Sequence, residues 1–231
     1  NGSTEGMAQL GRCYLNGIGV RKDAKLGLEW YSKAAEANNL SAMFFLGKEL
    51  LLGETVRKDV DDGLEWLKRA AEFGELSALV PLGIAYSDGT TRKDLELAND
   101  YFEEAAERGD VEAMYLFANN LRTGAGIRKN EERAFKWYEK AAENGHLEAT
   151  NQLALCYSAG KGVEQNQRKA FKLFEEASSR GSMLATANLA VCYAKGLGVP
   201  VDEDESARLA IEVINSDSEA AKQILELLPE D

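Results

Sequence analysis

The sequence predicts an all-α fold made of repeated helix pairs, and three observations support this prediction. Six segments share one hydrophobic pattern at intervals of 36, 36, 35, 36 and 36 residues, beginning at Leu10, Leu46, Leu82, Phe117, Leu153 and Leu189. The first five are each followed by a second shared segment such as WYSKAAE or WYEKAAE. The chain has 21 glycines but only 3 prolines, and the glycines fall at fixed repeat positions. A period of this length is typical of stacked two-helix repeats.

The first shared segment of each repeat predicts one helix. In SAMFFLGKELLL, Ala42, Leu46 and Leu50 are spaced i, i+4 and i+8, which places them on one helical stripe. Gly53 predicts the helix end, because glycine readily adopts the left-handed conformation of a C-cap. The third repeat differs, since Pro81 falls inside its first helix and is expected to kink or shorten it.

The second shared segment predicts another helix, which begins at a recurring Asp or Asn. These N-cap residues are Asp23, Asp59, Asp94, Asn130, Asn166 and Asp202. Asp202 with Glu205 resembles a capping box. The second helices end at a glycine, namely Gly74, Gly109, Gly145 and Gly181. One position within them recurs as Trp30, Trp66 and Trp137, which predicts core residues.

Composition excludes several classes of function. The chain of 231 residues carries 39 Asp and Glu against 27 Lys and Arg, a net charge of −12, which argues against general affinity for nucleic acid or anionic membrane. No apolar run approaches the roughly 18 residues of a membrane span. One histidine excludes a multi-histidine metal site, and every glycine is accounted for by the repeat, so no phosphate-binding loop remains. We therefore expect no cofactor and no metal.

Three cysteines, Cys13, Cys156 and Cys192, occupy one repeat position. Packed helices lie about 8–10 Å apart, whereas a disulfide needs Cα atoms within roughly 7 Å, so Cys156 and Cys192 are predicted to be unbridged core residues. Unpaired cysteines slightly favour the cytoplasm. A secreted or periplasmic location stays open if an upstream signal was removed.

The repeat resembles a known family. Its pattern, A-x-x-x-L-G-x-x-Y-x-x-G-x-G-V-x-x-D-x-x-x-A-x-x-W-Y-x-K-A-A-E-x-G, is best met by residues 113–145 and 149–181 and is similar to the Sel-1-like repeat, a relative of the tetratricopeptide repeats. The resemblance covers about residues 6–228. It implies a right-handed α-solenoid whose first helices line a concave face. Some secreted relatives carry a paired cysteine in each repeat, which this chain lacks.

The domain prediction is a single solenoid over residues 1–231. Its repeats are placed at about 6–41, 42–77, 78–112, 113–148, 149–184 and 185–219, with a capping helix in 220–231. Asn1-Gly2 aligns with Asn144-Gly145, at the end of a second helix. The chain is therefore expected to be a fragment of a longer repeat protein.

Partner-binding residues are predicted on the side of the first helices opposite the core. Steps of 100° per residue select Phe44, Phe45, Lys48, Leu52, Val80, Ile84, Tyr115, Leu116, Asn119, Asn151, Gln152 and Asn188. Amides can pair with an extended peptide backbone, and apolar neighbours form pockets for its side chains. Alternatively, Phe44, Phe45 and Leu116 pack between adjacent repeats.

Catalytic residues are not predicted. Ser158 and Lys161 match the S-x-x-K of penicillin-recognising enzymes, and some members of the resembled family have been linked to β-lactam binding. That motif needs serine at a helix start, whereas Ser158 lies near a helix end. His146, in the turn ENGH, is interpreted as a solvated turn residue.

The sequence therefore predicts a non-enzymatic interaction scaffold or adaptor that binds a protein or extended peptide on the concave face. It predicts no nucleic-acid binding and no membrane insertion. A β-lactam-binding or other hydrolase and a purely structural spacer remain as alternatives. The sequence does not identify the partner or the oligomeric state.

Overall fold

The computed structural model describes residues 3–53 and 57–228, and in these ranges all regular structure is helical. A short 3₁₀ turn occupies Leu76–Ala78. The α-helices are α1 (Thr4–Asn16), α2 (Ala24–Glu36), α3 (Leu40–Leu52), α4 (Val60–Glu72), α5 (Leu79–Asp88), α6 (Leu95–Glu107), α7 (Val111–Thr123), α8 (Glu131–Glu143), α9 (Leu147–Ala159), α10 (Gln167–Ser179), α11 (Met183–Lys195), α12 (Glu203–Ile214) and α13 (Glu219–Leu225). The predicted all-α repeat fold is confirmed. The predicted repeat end at Asn1-Gly2 and the last three residues of the predicted cap lie outside the described residues.

The helices form two compact units. Helices α1–α6 lie in the unit Asn1–Arg108, and α7–α13 lie in the unit Gly109–Asp231. In both units each odd-numbered first helix packs on the second helix that follows it. Within each unit, second helices in turn pack on the next first helix, as α2 does on α3 and α8 does on α9. The core of each unit therefore continues from repeat to repeat.

The recurring Asp and Asn residues start the second helices, as predicted. Each side chain accepts a hydrogen bond from a backbone N–H in the first turn, for example from Leu26 to Asp23 at 3.0 Å. The same residue closes the inter-helix loop, because its own N–H donates to a carbonyl of the first helix, such as that of Tyr14. One repeat position, occupied by Asp or Asn, thus fixes both the loop and the helix start.

The capping box proposed for Asp202 is only half formed. Asp202 accepts from the N–H of Glu205 at 2.9 Å, which confirms the N-cap. The prediction of the second bond, from the Asp202 N–H to the Glu205 side chain, is wrong. The Asp202 N–H donates to the Tyr193 carbonyl instead, and the Glu205 carboxylate binds Arg208. A nearby guanidinium competes successfully for that carboxylate.

Pro81 shortens its helix, as predicted. Helix α5 has 10 residues where α3 has 13, and the 3₁₀ turn Leu76–Ala78 replaces its first turn. Pro81 therefore lies in the first turn of α5, where a backbone N–H has no intrahelical acceptor to lose.

Small residues let the two helices of a repeat approach closely. A Cβ added to Gly47 of α3 would lie 2.8 Å from the carbonyl oxygen of Gly63 in α4, and one added to Gly63 would lie 2.9 Å from that of Gly47. A Cβ at either position would meet backbone atoms, so the two helices would have to move apart to accept it. Glycine at this pair therefore serves the packing of α3 on α4.

The prediction that the recurring tryptophans are core residues is wrong. Trp30, Trp66 and Trp137 are only half-buried, and the residue after each one is buried instead, as with Tyr138 at 0% exposure. Each tryptophan ring carries a cation above its face, supplied by Lys33 at 4.6 Å, Arg69 at 5.3 Å and Lys140 at 4.0 Å. Consecutive helical residues differ by about 100° in direction, and the core side is centred one residue later. Aromatic rings here form the amphipathic border of the core.

Candidate interaction surface

The exposed side of α3 and α5 brings together several of the predicted contact residues of the first unit. Lys48 and Leu52 of α3 and Pro81, Ile84 and Asp88 of α5 line one hollow of about 250 Å³. We call it the α3–α5 hollow. Leu52 is 51% exposed and Ile84 is 40% exposed, so the hollow presents apolar side chains to solvent.

Phe45 does not belong to this surface. Its ring stacks on that of Tyr31 in α2, with centroids 4.3 Å apart and planes 15° from parallel. This is the alternative in which the side chain packs between adjacent repeats, and for Phe45 the prediction of a partner contact is corrected accordingly. Phe44 and Val80 are half-buried.

In the second unit, Asn119 of α7 joins an internal polar network, and Tyr115 of α7 packs on neighbouring rings. The Tyr138 hydroxyl donates to Asn119 Oδ1 at 2.7 Å and accepts from Arg122 Nε at 3.2 Å. Burial raises the pKa of Tyr138 to about 12, although the neighbouring Arg122 opposes this shift. The Tyr115 ring stacks on His146, with centroids 4.5 Å apart. The Asn119 oxygen is thus committed within the fold.

The predicted run of partner-binding amides is partly wrong. Asn151 is 2% exposed, and its Oδ1 accepts a hydrogen bond at 3.2 Å from Asn188 Nδ2, which also donates to the Leu184 carbonyl. Asn151 is therefore corrected from a contact residue to a buried link between α9 and α11. Leu155 of α9 is 36% exposed, so the exposed side of this helix lies around Leu155 rather than around Asn151.

The remaining predicted residues of the second unit, Leu116 and Gln152, are half-buried. They lie on α7 and α9, respectively. Leu116 and Gln152, together with Leu155 and Asn188, form a surface of mixed apolar and amide side chains on the first helices of this unit.

His146 is a structural residue, and its interpretation as a solvated turn residue is wrong. Its side chain is 11% exposed, and Nδ1 accepts from the Ala149 N–H at 3.2 Å as the N-cap of α9. The proton therefore resides on Nε2, which lies 3.2 Å from a Glu112 carboxylate oxygen. Asn39 makes the equivalent pair of bonds, capping Ala42 and donating to Glu5. The repeat register could have revealed this, because Asn39 and His146 share one position.

The geometry of Ser158 does not match that of a catalytic serine at a helix start. Ser158 lies in the last turn of α9, and its hydroxyl donates to Gln167 Oε1 at 3.2 Å. Lys161 follows Gly160, which ends the helix with φ of 68°. The two side chains therefore do not share one helical turn, as S-x-x-K chemistry requires.

All three cysteines are free thiols. Burial raises the pKa of both Cys156 and Cys192 to about 11, which keeps these thiols protonated at neutral pH. Over residues 3–53 and 57–228 there is no group of three or more potential metal-ligating acidic, histidine or cysteine side chains. In the same part of the chain, no helix combines the length and apolar character needed to cross a membrane.

Comparison with known proteins identifies the repeat. The Sel1 repeat matches residues 4–39, 40–74, 77–110, 111–146, 147–182 and 184–212. The comparison with curated proteins found no match.

Solved structures show the same fold. The chain is similar to c5321, a protective antigen of uropathogenic Escherichia coli with an SLR fold, at 30% identity and a TM-score of 0.90 over 97% of this chain. It spans 48% of that protein, or about half its length. A Sel1 repeat protein from Oxalobacter formigenes is 33% identical, with a TM-score of 0.78 over 92% of this chain and 87% of that one.

Sel1 repeat proteins commonly mediate protein–protein interaction and are generally non-enzymatic scaffolds. The six matched repeats, the helix pairs and the two structural likenesses agree with one another. This chain belongs to the Sel1 repeat family.

Proposed function

We propose that the chain is a protein-interaction module that binds a protein or an extended peptide on the exposed sides of its first helices. The observation that carries this proposal is the exposure of Leu52 and Ile84, at 51% and 40%, on the same α3–α5 hollow. Clustered exposed apolar side chains mark interaction sites, whereas scattered ones do not.

The tryptophans of the second helices α2, α4 and α8 support the choice of face. These half-buried residues are covered by Lys33, Arg69 and Lys140, so a partner would have to displace a cation to reach the rings. On α3 and α5 the apolar side chains are directly accessible. The first helices thus offer apolar area without that cost.

Selection from a phage-displayed library of random 12-residue peptides tests the proposal. The chain and a Leu52→Asp/Leu155→Asp variant, which has one substitution in each unit, would be used in parallel. A matched control is Ile211→Asp, at a residue 59% exposed on the second helix α12.

We expect peptides to be enriched on the chain and on the Ile211→Asp control but to lose binding to the double variant. No enrichment on the chain would favour the structural spacer and contradict the proposal. Equal binding to the double variant would show that another face is used. Circular dichroism would verify that all three proteins fold.

A further inference from the structure

We infer that the α3–α5 hollow receives one apolar side chain from a peptide segment that carries acidic residues beside it. This inference rests on the proposed function and specifies the chemistry of the partner. It comes from two independent features of the hollow, the shape of its apolar surface and the charge at its rim.

The hollow has an apolar floor and apolar walls. Leu51 and Ala85 are buried at 7% and 3% exposure and form the floor, whereas Leu52, Pro81 and Ile84 are its walls. Its volume of about 250 Å³ is smaller than the roughly 300–1,000 Å³ of sites that enclose small molecules. A side chain projecting from a longer ligand fits this size, because the rest of the ligand remains outside the hollow.

The rim of the hollow is positively charged. Lys48 and Lys58 line it and are exposed, and neither forms a salt bridge within residues 3–53 and 57–228. Asp88 also lines the hollow, but its Oδ1 accepts the Thr90 N–H at 2.7 Å and stabilises the turn after α5. Two cations against one engaged carboxylate leave an excess of positive charge beside an apolar surface.

The preceding repeat carries a cation at the position equivalent to Lys48. Arg12 of α1 occupies the repeat position of Lys48 and is also exposed. The whole chain has a net charge of −12, so a rim that carries Lys48 and Lys58 departs from the average surface. Charge complementarity therefore selects an acidic segment over a basic one, since like charges near a rim suppress binding.

The experiment selects the 12-residue phage library on the wild-type chain and measures the recovered peptides on four variants. Leu155→Asp, at a residue 36% exposed on α9, tests the second unit. Ile84→Asp places a charge in the hollow, at a residue 40% exposed and so tolerant of substitution. Lys48→Glu/Lys58→Glu reverses the rim charge without touching the apolar walls. Ile211→Asp is the matched control, an exposed isoleucine changed in the same way outside the hollow.

We expect the main group of recovered peptides to carry Leu, Ile, Met or Phe within about two residues of Asp or Glu, the reach of alternating side chains in an extended ligand. Their affinity should fall about tenfold or more on Ile84→Asp and on the double reversal, and should stay unchanged on Ile211→Asp. Added salt should weaken the binding, because the rim charges are exposed and screened.

Three outcomes would overturn the inference. Basic or uncharged peptides that bind the double reversal as well as the wild type would remove the acidic requirement. Peptides that bind Ile84→Asp undiminished, yet lose binding to Leu155→Asp, would move the site to the second unit and leave the proposed function intact. No recovered peptide would overturn the inference and the proposed function together.

Discussion

Replacing Gly162 with alanine tests how the inter-helix loop of one repeat packs on the preceding repeat. Gly162 has φ of +71°, and a Cβ built on it would overlap the Glu131 carbonyl and lie 2.9 Å from the Glu132 nitrogen, in the first turn of α8. These neighbours are backbone atoms, so only a shift of the loop or the helix would relieve the overlap. A contact between repeats, as well as a backbone conformation, therefore requires glycine here.

Two controls separate these two requirements. Gly19 has the same repeat position as Gly162 and the same φ of +71°. Gly181 has φ of +94° and lies in the same unit as Gly162. A Cβ built on either control glycine meets nothing within 4 Å. Alanine in the left-handed conformation costs about 1–2 kcal/mol, which is the loss we expect for both controls. Forced overpacking adds about 1–3 kcal/mol, so Gly162→Ala should lose roughly 2–5 kcal/mol of unfolding free energy.

Urea unfolding followed by far-UV circular dichroism measures these losses. Amide hydrogen exchange shows which helices lose stability, because repeat proteins can open one repeat at a time. We expect faster exchange in α8 and α9 for Gly162→Ala than for Gly181→Ala. A loss no larger than that of the two controls would refute the argument that this loop glycine is required by a contact between repeats.

Three further predictions concern the second unit. Asn151→Ala should cost about 1–3 kcal/mol of unfolding free energy because it removes a buried hydrogen bond, whereas Gln152→Ala should stay within about 0.5 kcal/mol; urea unfolding compares them. His146→Ala should lower the stability by about 1–2 kcal/mol through loss of the N-cap, and His146→Asn should restore most of it because Asn39 makes the same two bonds. Tyr138 has its pKa raised from 10.0 to about 12, so its phenol ionises first in the unfolded chain. Stability should therefore be unaffected by this group below pH 10 and fall between pH 10 and 12, and Tyr138→Phe should make that fall shallower in pH-dependent melting curves.

The sequence predicted local features of the fold well, because those features depend on neighbouring residues. Asp23 and its equivalents cap helices through a bond three residues away, and Gly53 ends α3 through its own φ of 70°. Pro81 shortens α5 because a helix that began a turn earlier would need the N–H that proline lacks. The N-cap and C-cap residues recur in several repeats, so each interpretation rests on several positions of the sequence.

The orientation of side chains was predicted less well, since it depends on the packing of neighbouring helices. The wheel placed Asn151 at the surface, but α11 covers it and supplies Asn188 as its partner. Phe45 was predicted to face away from the core side of α3, but its ring stacks on Tyr31 of the preceding repeat. His146 looked solvated because the bonds to Glu112 and the stacking on Tyr115 come from α7, 34 and 31 residues earlier in the chain. An error of about 100° in direction is enough to exchange a contact residue for a core residue.

The most direct test of the proposed interaction surface is amide chemical-shift mapping of the isotope-labelled chain with a selected peptide. The account predicts that shifts concentrate on α3 and α5, around Leu52 and Ile84, or on the exposed sides of α7, α9 and α11. Shifts confined to the second helices, around Trp66 or Trp137, would contradict it.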